Sequence, residues 1–566
     1  MIALTAVGLI AAAAVTWLSR PVTQPYLSAT LLQFETERAY ANIEELCLSY
    51  PERSIFHPDN REAAAWLKNR LAALGLETGT QEFNSWAGDK PAENLLNVYG
   101  ISRGTVKPEE MIVITSHFDI PAFVYQGAAD AGSDIGIILE LARIFASEEH
   151  NRTILFLFTN NEEYGMQGAR NFIEQFADME QVKAVLSMDY MNMGEMNYIL
   201  ARFMGLQKGY TPLWLRELTL AAAGAESPVR STDPFMEWVD RSVTIASTDA
   251  GMFLRAGYPT VNITTRAIDL ERQRLLYHSR EDTVEKLEPA TITAYGRAAE
   301  RILRGLDEIP VLPAGEMSYF KYGHQYLPGW VITFLQLLLF APFFAVLAVD
   351  FRLAAPAALG ASRREIVRAG LLFAAGTAGY LLLRLLPLTG AMVRYPLYPA
   401  TQKDPVLYHP QYLPAVLVLL TVLLTGLVLF KVVYPRLTAM PQNQEAAEAG
   451  RRWVLLLLAV LVLVIWAEGS GFAAVTFFLL PAYLWIWIKP ASRLPRRILN
   501  LALAVLGGAV FFAFIYIFTT TYQIGVTWWY ILLAAACGLF SYKVVLVFLA
   551  AAALLITMSG IAARRR

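Results

Sequence analysis

The run IVITSHFD at residues 112–119, with GAAD at 127–130, IGIILELARIF at 135–145, TILFLF at 153–158 and NNEEYG at 160–165, decides the fold. Two short apolar runs, bounded by polar turns and separated by a stretch of helical spacing, read as strand, helix, strand. The polar clusters fall where the strands stop: Ser116-His117-Phe118-Asp119 after the first, Asn161-Glu162-Glu163 after the second. In open α/β sheets, ligands bind at the carboxyl ends of strands. The reading is therefore an α/β domain, with its chemistry collected at one end of the sheet.

Outward from this unit, Asn60 to Leu74 carries apolar residues at helical spacing (Ala64, Leu67, Leu71, Leu74) and stops at Gly75. A strand-like run from Ala184 closes in Ser187-Met188-Asp189-Tyr190, and Tyr258 to Ile263 reads as a late strand. Tyr277-His278-Ser279-Arg280-Glu281-Asp282-Thr283 forms a polar loop ahead of a final helix, Pro289 to Leu306. The composition from residue 21 to 310 is that of one such domain.

The whole chain is 566 residues with a net charge of −1, which gives no reason to expect a nucleic-acid partner. Hydrophobic residues make up 55 % and charged residues 17 %, a balance that points to membrane. Cys47 and Cys537 lie in different halves and build no disulfide framework. Ile2 to Leu18 is apolar with no basic residue before it, so residues 1–20 read as an uncleaved signal anchor rather than a cleaved signal.

From residue 328 to 566 the text changes to apolar runs: Trp330–Val349, Ile366–Leu386, Leu413–Val433, Trp453–Trp466, Phe472–Ile488, Ile498–Phe518, Trp528–Phe540 and Val544–Ile561. Each crosses or nearly crosses a hydrocarbon core of ~30 Å, so a multispan helical domain of about eight helices is expected. The basic loops (Arg352, Arg363, Arg364, Arg368; then Arg436, Arg451, Arg452; then Lys489, Arg493, Arg496, Arg497) alternate consistently as cytoplasmic. The soluble domain then lies on the extracytoplasmic side. Arg564-Arg565-Arg566 breaks the pattern if every run crosses, which leaves one or two crossings open for 528–561. Low cysteine content and no evident retention signal favour a bacterial inner membrane facing the periplasm over an endoplasmic reticulum lumen.

Five side chains suit metal ligation: the imidazoles of His117 and His278 and the carboxylates of Asp130, Glu163 and Asp189. Two ions held close together favour a shared carboxylate, and Asp130, in the strand–helix loop, is placed to bridge them. Asp119 is placed to hold the second imidazole nitrogen of His117. Glu162, beside Glu163, can face the attacking water and take its proton. Each signal alone is commonplace: a His-x-Asp is usually a surface pair and a Glu-Glu a solvated face. Their joint order at strand ends is what carries weight. His57, His150, His324 and His409 lack such company and read as structural.

These stretches resemble the co-catalytic zinc exopeptidase family of bacterial leucyl aminopeptidases, glutamate carboxypeptidases and glutaminyl cyclases. His117 and Asp119 match its His-x-Asp motif, and Gly127 to Asp130 its Gly-Ala-x-Asp loop. Glu162-Glu163-Tyr164-Gly165-Met166-Gln167-Gly168 matches its Glu-Glu-x-Gly-x-x-Gly motif. Asp189 matches its strand-end aspartate, and Tyr277 to Thr283 its Tyr-His-x-x-x-Asp-Thr motif, over roughly residues 34–306.

The resemblance implies a central mixed sheet between helices and two Zn2+ ions. His117, Asp130 and Asp189 would hold one ion and His278, Asp130 and Glu163 the other, with Glu162 as base. The multispan tail is similar to that of endoplasmic reticulum-type membrane metallopeptidases. Two positions depart from the pattern: Ala131 stands where Asp or Asn is usual, and Asp134, in place of Gly, is expected to add negative charge near the bridge. The stretch from Gly194 to Val243 resembles nothing assignable and is expected to shape the substrate pocket. The reading is a membrane-anchored aminopeptidase acting on peptides; a glutaminyl cyclase-like enzyme and an inactive receptor or scaffold are the alternatives.

Overall fold

The computed structural model describes residues 2–563 apart from 88–89, 204–209, 232–247, 316, 353–362, 394–408, 438–443, 539, 541 and most of 468–525. Its centre is an eight-stranded sheet built from β2 (Glu77–Ala87), β3 (Lys90–Ser102), β4 (Lys107–His117), β5 (Arg152–Thr159), β6 (Val182–Met188), β7 (Met196–Arg202), β8 (Val229–Ser231) and β9 (Thr260–Ala267). The spatial order is β2-β3-β5-β4-β6-β9-β7-β8. The four middle strands, β5, β4, β6 and β9, run parallel, whereas β3 on β5 and β7 on β9 are antiparallel. The mixed sheet between helices is thus as expected.

The strand–helix–strand reading follows from burial. β5 is buried at every position and β4 from Ile112 to His117, because helices cover both faces of the sheet there. Ile112, Ile114, Ile154 and Phe156 pack with the helices Thr36–Ser49, Pro58–Ala73, Ser133–Ala146 and Pro289–Glu308. Val113, Leu155, Leu157 and Val185 meet Ala169 and Phe172 of Gln167–Gln175 and Phe253 of Ala250–Ala256 on the other face. Each fully buried aliphatic contributes about 1.5–3 kcal/mol.

Two features lay outside the sequence reading. The β2–β3 ribbon extends the sheet on one edge. On the other edge, the unassigned stretch from Gly194 contributes β7 and β8 and the helix Leu213–Gly224.

A second, three-stranded sheet forms from β1 (Arg20–Pro21), β10 (Tyr319–Tyr322) and β11 (Gln325–Pro328), in the order β1-β11-β10. Helix Ile2–Leu18 leads into β1, and β11 runs into helix Gly329–Arg352. Val15 and Leu18 of the first helix pack against Leu327, Val331 and Ile332 at the start of the second. The same sheet grips the domain of the larger sheet: Tyr319 is buried in its core and donates its hydroxyl to the Thr211 carbonyl at 2.9 Å, while Lys321 pairs with Glu217 at 2.6 Å.

Of the eight apolar runs, two correspond to helices long and apolar enough to cross a membrane among the described residues, Arg364–Leu385 and Tyr412–Leu437. Trp330–Val349 lies in Gly329–Arg352, and Trp453–Trp466 is the apolar end of the longer Gln444–Ala467. Phe472–Ile488 and nearly all of Ile498–Phe518 lie outside the described residues. The last two runs form separate helices, Thr527–Cys537 and Tyr542–Ala563; Gly538 ends the first with a φ of 94°, which an L side chain would resist.

Candidate metal centre

β4, β5 and β6 are neighbouring parallel strands, so their carboxyl ends deliver His117, the Glu162–Glu163 turn and Asp189 to one side of the sheet. His278 arrives from the loop after β9 and the short helix Leu270–Leu276. Asp130 hangs from the loop between β4 and the helix Ser133–Ala146, which Gly127 turns with a φ of 51°. A side chain at Gly127 would lie 2.8 Å from the Asp130 carbonyl oxygen, which explains the glycine of the GAAD run. Asn161, Tyr190 and His278 are non-glycine residues with φ of 61°, 67° and 48°. Such left-handed backbone costs about 1–3 kcal/mol per residue and clusters where function needs a side chain aimed.

His117 Nε2 lies 3.2 Å from Asp130 Oδ1 and 3.5 Å from Asp189 Oδ1. His278 Nε2 lies 2.7 Å from Asp130 Oδ2 and 3.2 Å from Glu163 Oε2. The structure therefore brings together all five sequence-predicted ligands in two groups, His117–Asp130–Asp189 and Asp130–Glu163–His278, each with donor atoms within 4.8 Å of one another. The two oxygens of Asp130 face different histidines. Asp130 Oδ2, Glu163 Oε1 and His278 Nε2 are buried yet lack a hydrogen-bond partner. Buried polar atoms almost always find one. Imidazole nitrogen and carboxylate oxygen converging without hydrogen-bond geometry is the donor set zinc takes, so the residues fit that ion.

The electrostatics agree. Burial opposes ionisation of Asp130, but the imidazoles of His117 and His278 beside it hold its carboxyl well below the usual range. Burial pushes Glu163 up to about 7. Although burial disfavours the charged form of His278, the Glu163 and Asp130 carboxylates outweigh it and raise the imidazole to about 10. The centre selects for cations.

Glu162 is half-buried beside the two groups. Burial, reinforced by the charges of Asp189, Glu163 and Asp249, raises its carboxyl well above the usual range, as a group that must accept a proton near neutrality requires. Asp119 sits differently from the sequence expectation. His117 Nδ1 is 3.0 Å from the Asp119 carbonyl oxygen, while the Asp119 carboxylate stands 3.7 Å away. That carboxylate instead accepts the backbone N–H of Glu162 at 3.1 Å and of Glu163 at 3.3 Å. It clamps the turn that presents both glutamates, because those two amides lie past the strand end and have no ladder partner.

Asp134 stands in the first turn of the helix that follows the bridging loop. It is fully buried, with both carboxyl oxygens unpartnered, and burial followed by the Asp189 charge pushes its pKa well above the usual range.

Around the centre, Arg53 and Asp249 escaped the sequence reading, while Asp282 and Tyr277 entered it without a role. Asp282, seen there only as a motif position, accepts the N–H groups of Ala129 at 2.7 Å and Asp130 at 3.2 Å and so fixes the bridging loop. Arg53, fully buried, donates Nε to the Phe118 carbonyl at 2.7 Å and Nη2 to the Gly127 carbonyl at 2.9 Å, with Nη1 on Gln126. It ties the His117 and Asp130 loops together. Asp249 accepts the Thr159 hydroxyl behind Glu162. Tyr277 stacks on His278 with ring centroids 3.9 Å apart and meets Tyr190 edge-on at 4.9 Å. Of the histidines read as structural, His57 caps Pro58–Ala73 and His150 bridges Ser102 and the Arg152 carbonyl.

A mixed sheet that carries two His–carboxylate groups on one shared aspartate is the arrangement implied by the resemblance to the co-catalytic zinc exopeptidases. Residues 97–303 match the family model described as Peptidase family M28. Among curated proteins the chain is similar to a glutamate carboxypeptidase 2 homolog of Caenorhabditis briggsae, 36 % identical over 107 residues, 18 % of this chain and 13 % of that protein. It is similar to the aminopeptidase YwaD of Bacillus subtilis, 23 % identical over 34 % of this chain and 40 % of the relative. It is also similar to a vacuolar membrane protease of Candida albicans, 26 % identical over 36 % of this chain and 21 % of the relative. The chain thus spans well under half the length of each. Among solved structures, a zinc aminopeptidase from Bacillus subtilis aligns over 51 % of this chain and 99 % of its own, at 13 % identity and a TM-score of 0.42.

Proposed function

We propose that this chain is a membrane-anchored, zinc-dependent aminopeptidase that hydrolyses peptide bonds with two ions. The observation that carries the reading is Asp130, whose two oxygens lie 3.2 Å and 2.7 Å from His117 and His278. One carboxylate between two histidines, each with its own further carboxylate, is the arrangement a bridged pair of ions needs. His117, Asp130 and Asp189 would hold one ion, and Asp130, Glu163 and His278 the other. When bound, the pair supplies Lewis-acid charge that makes water acidic at neutral pH and polarises a carbonyl. Glu162 takes the proton of the attacking water and returns it to the departing amine. Asp119 holds the Glu162–Glu163 turn, and Asp282 and Arg53 hold the loops that aim Asp130 and His117.

Zinc analysis of the purified full chain, joined to a panel of free and N-acetylated peptides, tests this. Two zinc ions per chain and cleavage of free-amine peptides alone are expected. Cleavage of the acetylated peptides at equal rates sinks the aminopeptidase assignment, and a zinc-free active protein sinks the metal one.

The proposed organisation is an anchor at 1–20, an extracytoplasmic catalytic domain at 21–310 and a polytopic membrane domain at 328–566. The two spanning-length helices, the further apolar helices and the likeness to a protein named as a membrane protease support it. A reporter active only outside the cytoplasm is expected to work when fused after Leu306 and to fail after Arg363. The opposite pattern inverts the topology.

A further inference from the structure

The parallel strands have two ends, and the metal centre occupies one of them. β5 is eight residues long, so its ends stand roughly 23 Å apart at ~3.3 Å per step. Its last residue, Thr159, is level with His117. Its first, Arg152, donates its amide to the Asp307 carboxylate at 2.7 Å, near the end of the helix Pro289–Glu308.

The small sheet sits at this amino end too. Tyr319 bonds the Thr211 carbonyl, and the Thr211 hydroxyl bonds the carbonyl of Thr260, the first residue of β9, at 2.6 Å. Tyr319 lies across from Pro328, the residue before the helix Gly329–Arg352. The connection from the helix Ile2–Leu18 is bound at the same end. Val22 donates its amide to the His324 carbonyl at 2.9 Å, and the hydroxyls of Ser28 and Thr30 bond Glu308 at 2.6 and 2.8 Å. Both links between these helices and the large-sheet domain are thus bonded along their way. Two bonded links at one end fix the direction in which the other end points.

We propose that the chain holds its metal centre roughly 20 Å clear of the bilayer and facing away from it, so that only chain ends standing well out in water reach the site. The substrates are then soluble peptides, and membrane-anchored chains whose free N-terminus extends at least about seven residues beyond the headgroups at ~3.3 Å per residue. Chain ends lying at the headgroups are excluded. The inference rests on the peptidase reading and the membrane organisation given above.

The test uses the full chain in phosphatidylcholine vesicles, with free-amine peptides joined at their C-termini to a phospholipid through flexible Gly/Ser spacers. Spacers of about 4 and about 40 residues have root-mean-square lengths of roughly 11 and 35 Å. A linker too short to span gives an effective concentration near zero, so the short-spacer peptide is expected to be cut at least about tenfold more slowly. Detergent, which removes the bilayer, is expected to erase the difference. Equal cleavage on both spacers, or a difference that survives detergent, overturns the inference.

Height is also read without activity. A fluorophore on Glu281→Cys, exposed in the loop after His278, is compared with one on Val311→Cys, exposed beside the Pro310 carbonyl that Lys107 of β4 contacts. Both variants carry Cys537→Ser, since the other cysteine, Cys47, is buried. Energy transfer to acceptor lipids is expected to be weaker from Glu281→Cys; equal or stronger transfer overturns the inference. A protein that keeps this dye pattern yet cuts no peptide counts against the peptidase reading alone. A protein that does not float with the vesicles removes the membrane organisation and this inference with it.

Discussion

Glu162→Gln is expected to lower peptide turnover by at least about a hundredfold while zinc content and substrate affinity stay near normal. The factor follows from what a general base contributes, about 10²–10⁴ in rate. The amide keeps the size of the carboxylate and can hydrogen-bond, but it cannot accept a proton from water. Its neighbour behaves differently. Glu163 Oε2 is 3.2 Å from His278 Nε2 inside the second ligand group, so Glu163→Gln loses zinc first and activity as a consequence. The backbone clamp on Asp119 holds both glutamates in either variant, which keeps the comparison clean. Zinc quantitation beside kcat and KM separates the cases. If the Glu162 variant lost zinc while the Glu163 variant kept it, the two roles would be exchanged; full activity in both ends the mechanism.

Asp130→Ala is expected to empty both metal positions together, with activity falling alongside. The expectation rests on the separate placement of the two oxygens, one on the His117 side and one on the His278 side. Replacing His278 by Ala removes a donor from one group only, so the His117–Asp130–Asp189 group keeps part of its zinc. Metal titration of the two variants under one set of conditions distinguishes parallel from single loss. An Asp130→Ala protein that holds two zinc ions at wild-type affinity disproves the bridge. Thermal unfolding is the accompanying control, because Asp130 is buried and its amide also bonds Asp282.

The middle of the sheet was legible because burial on both faces writes itself into the sequence. Ile112 to Ile114 and Thr153 to Phe158 have no exposed side to encode, and the polar residues that reach the centre, His117 and Glu163, lie just past the ends of these runs. The helix at Ser133–Ala146 and the end of Pro58–Ala73 before Gly75, with its φ of 80°, were legible for related local reasons. The edges were not. β7 shows alternating burial, half open to solvent, and its place in the sheet depends on β9, some 60 residues away. Arg53 carried no signal either: a single arginine in a polar turn looks like any other until three carbonyls from distant loops converge on it. Asp119 shows the same limit at closer range. Its spacing from His117 was correct, but which of its oxygens faces the ring depends on two amides more than forty residues downstream.

The pairing of β1 with β11 has a consequence for biosynthesis. Arg20 lies opposite Tyr326, and roughly 300 residues separate the two strands along the chain. At ~5–20 residues per second, the first strand waits roughly 15 to 60 s after synthesis before its partner exists. During that interval the domain between the two strands is still being synthesised. Tyr319 and Lys321, which seat the same small sheet on Thr211 and Glu217, are among the last residues of this region to emerge. The closure therefore cannot precede completion of the domain it encloses, and a chain that stalls before Gln325 is left with its first helix unpaired to the second.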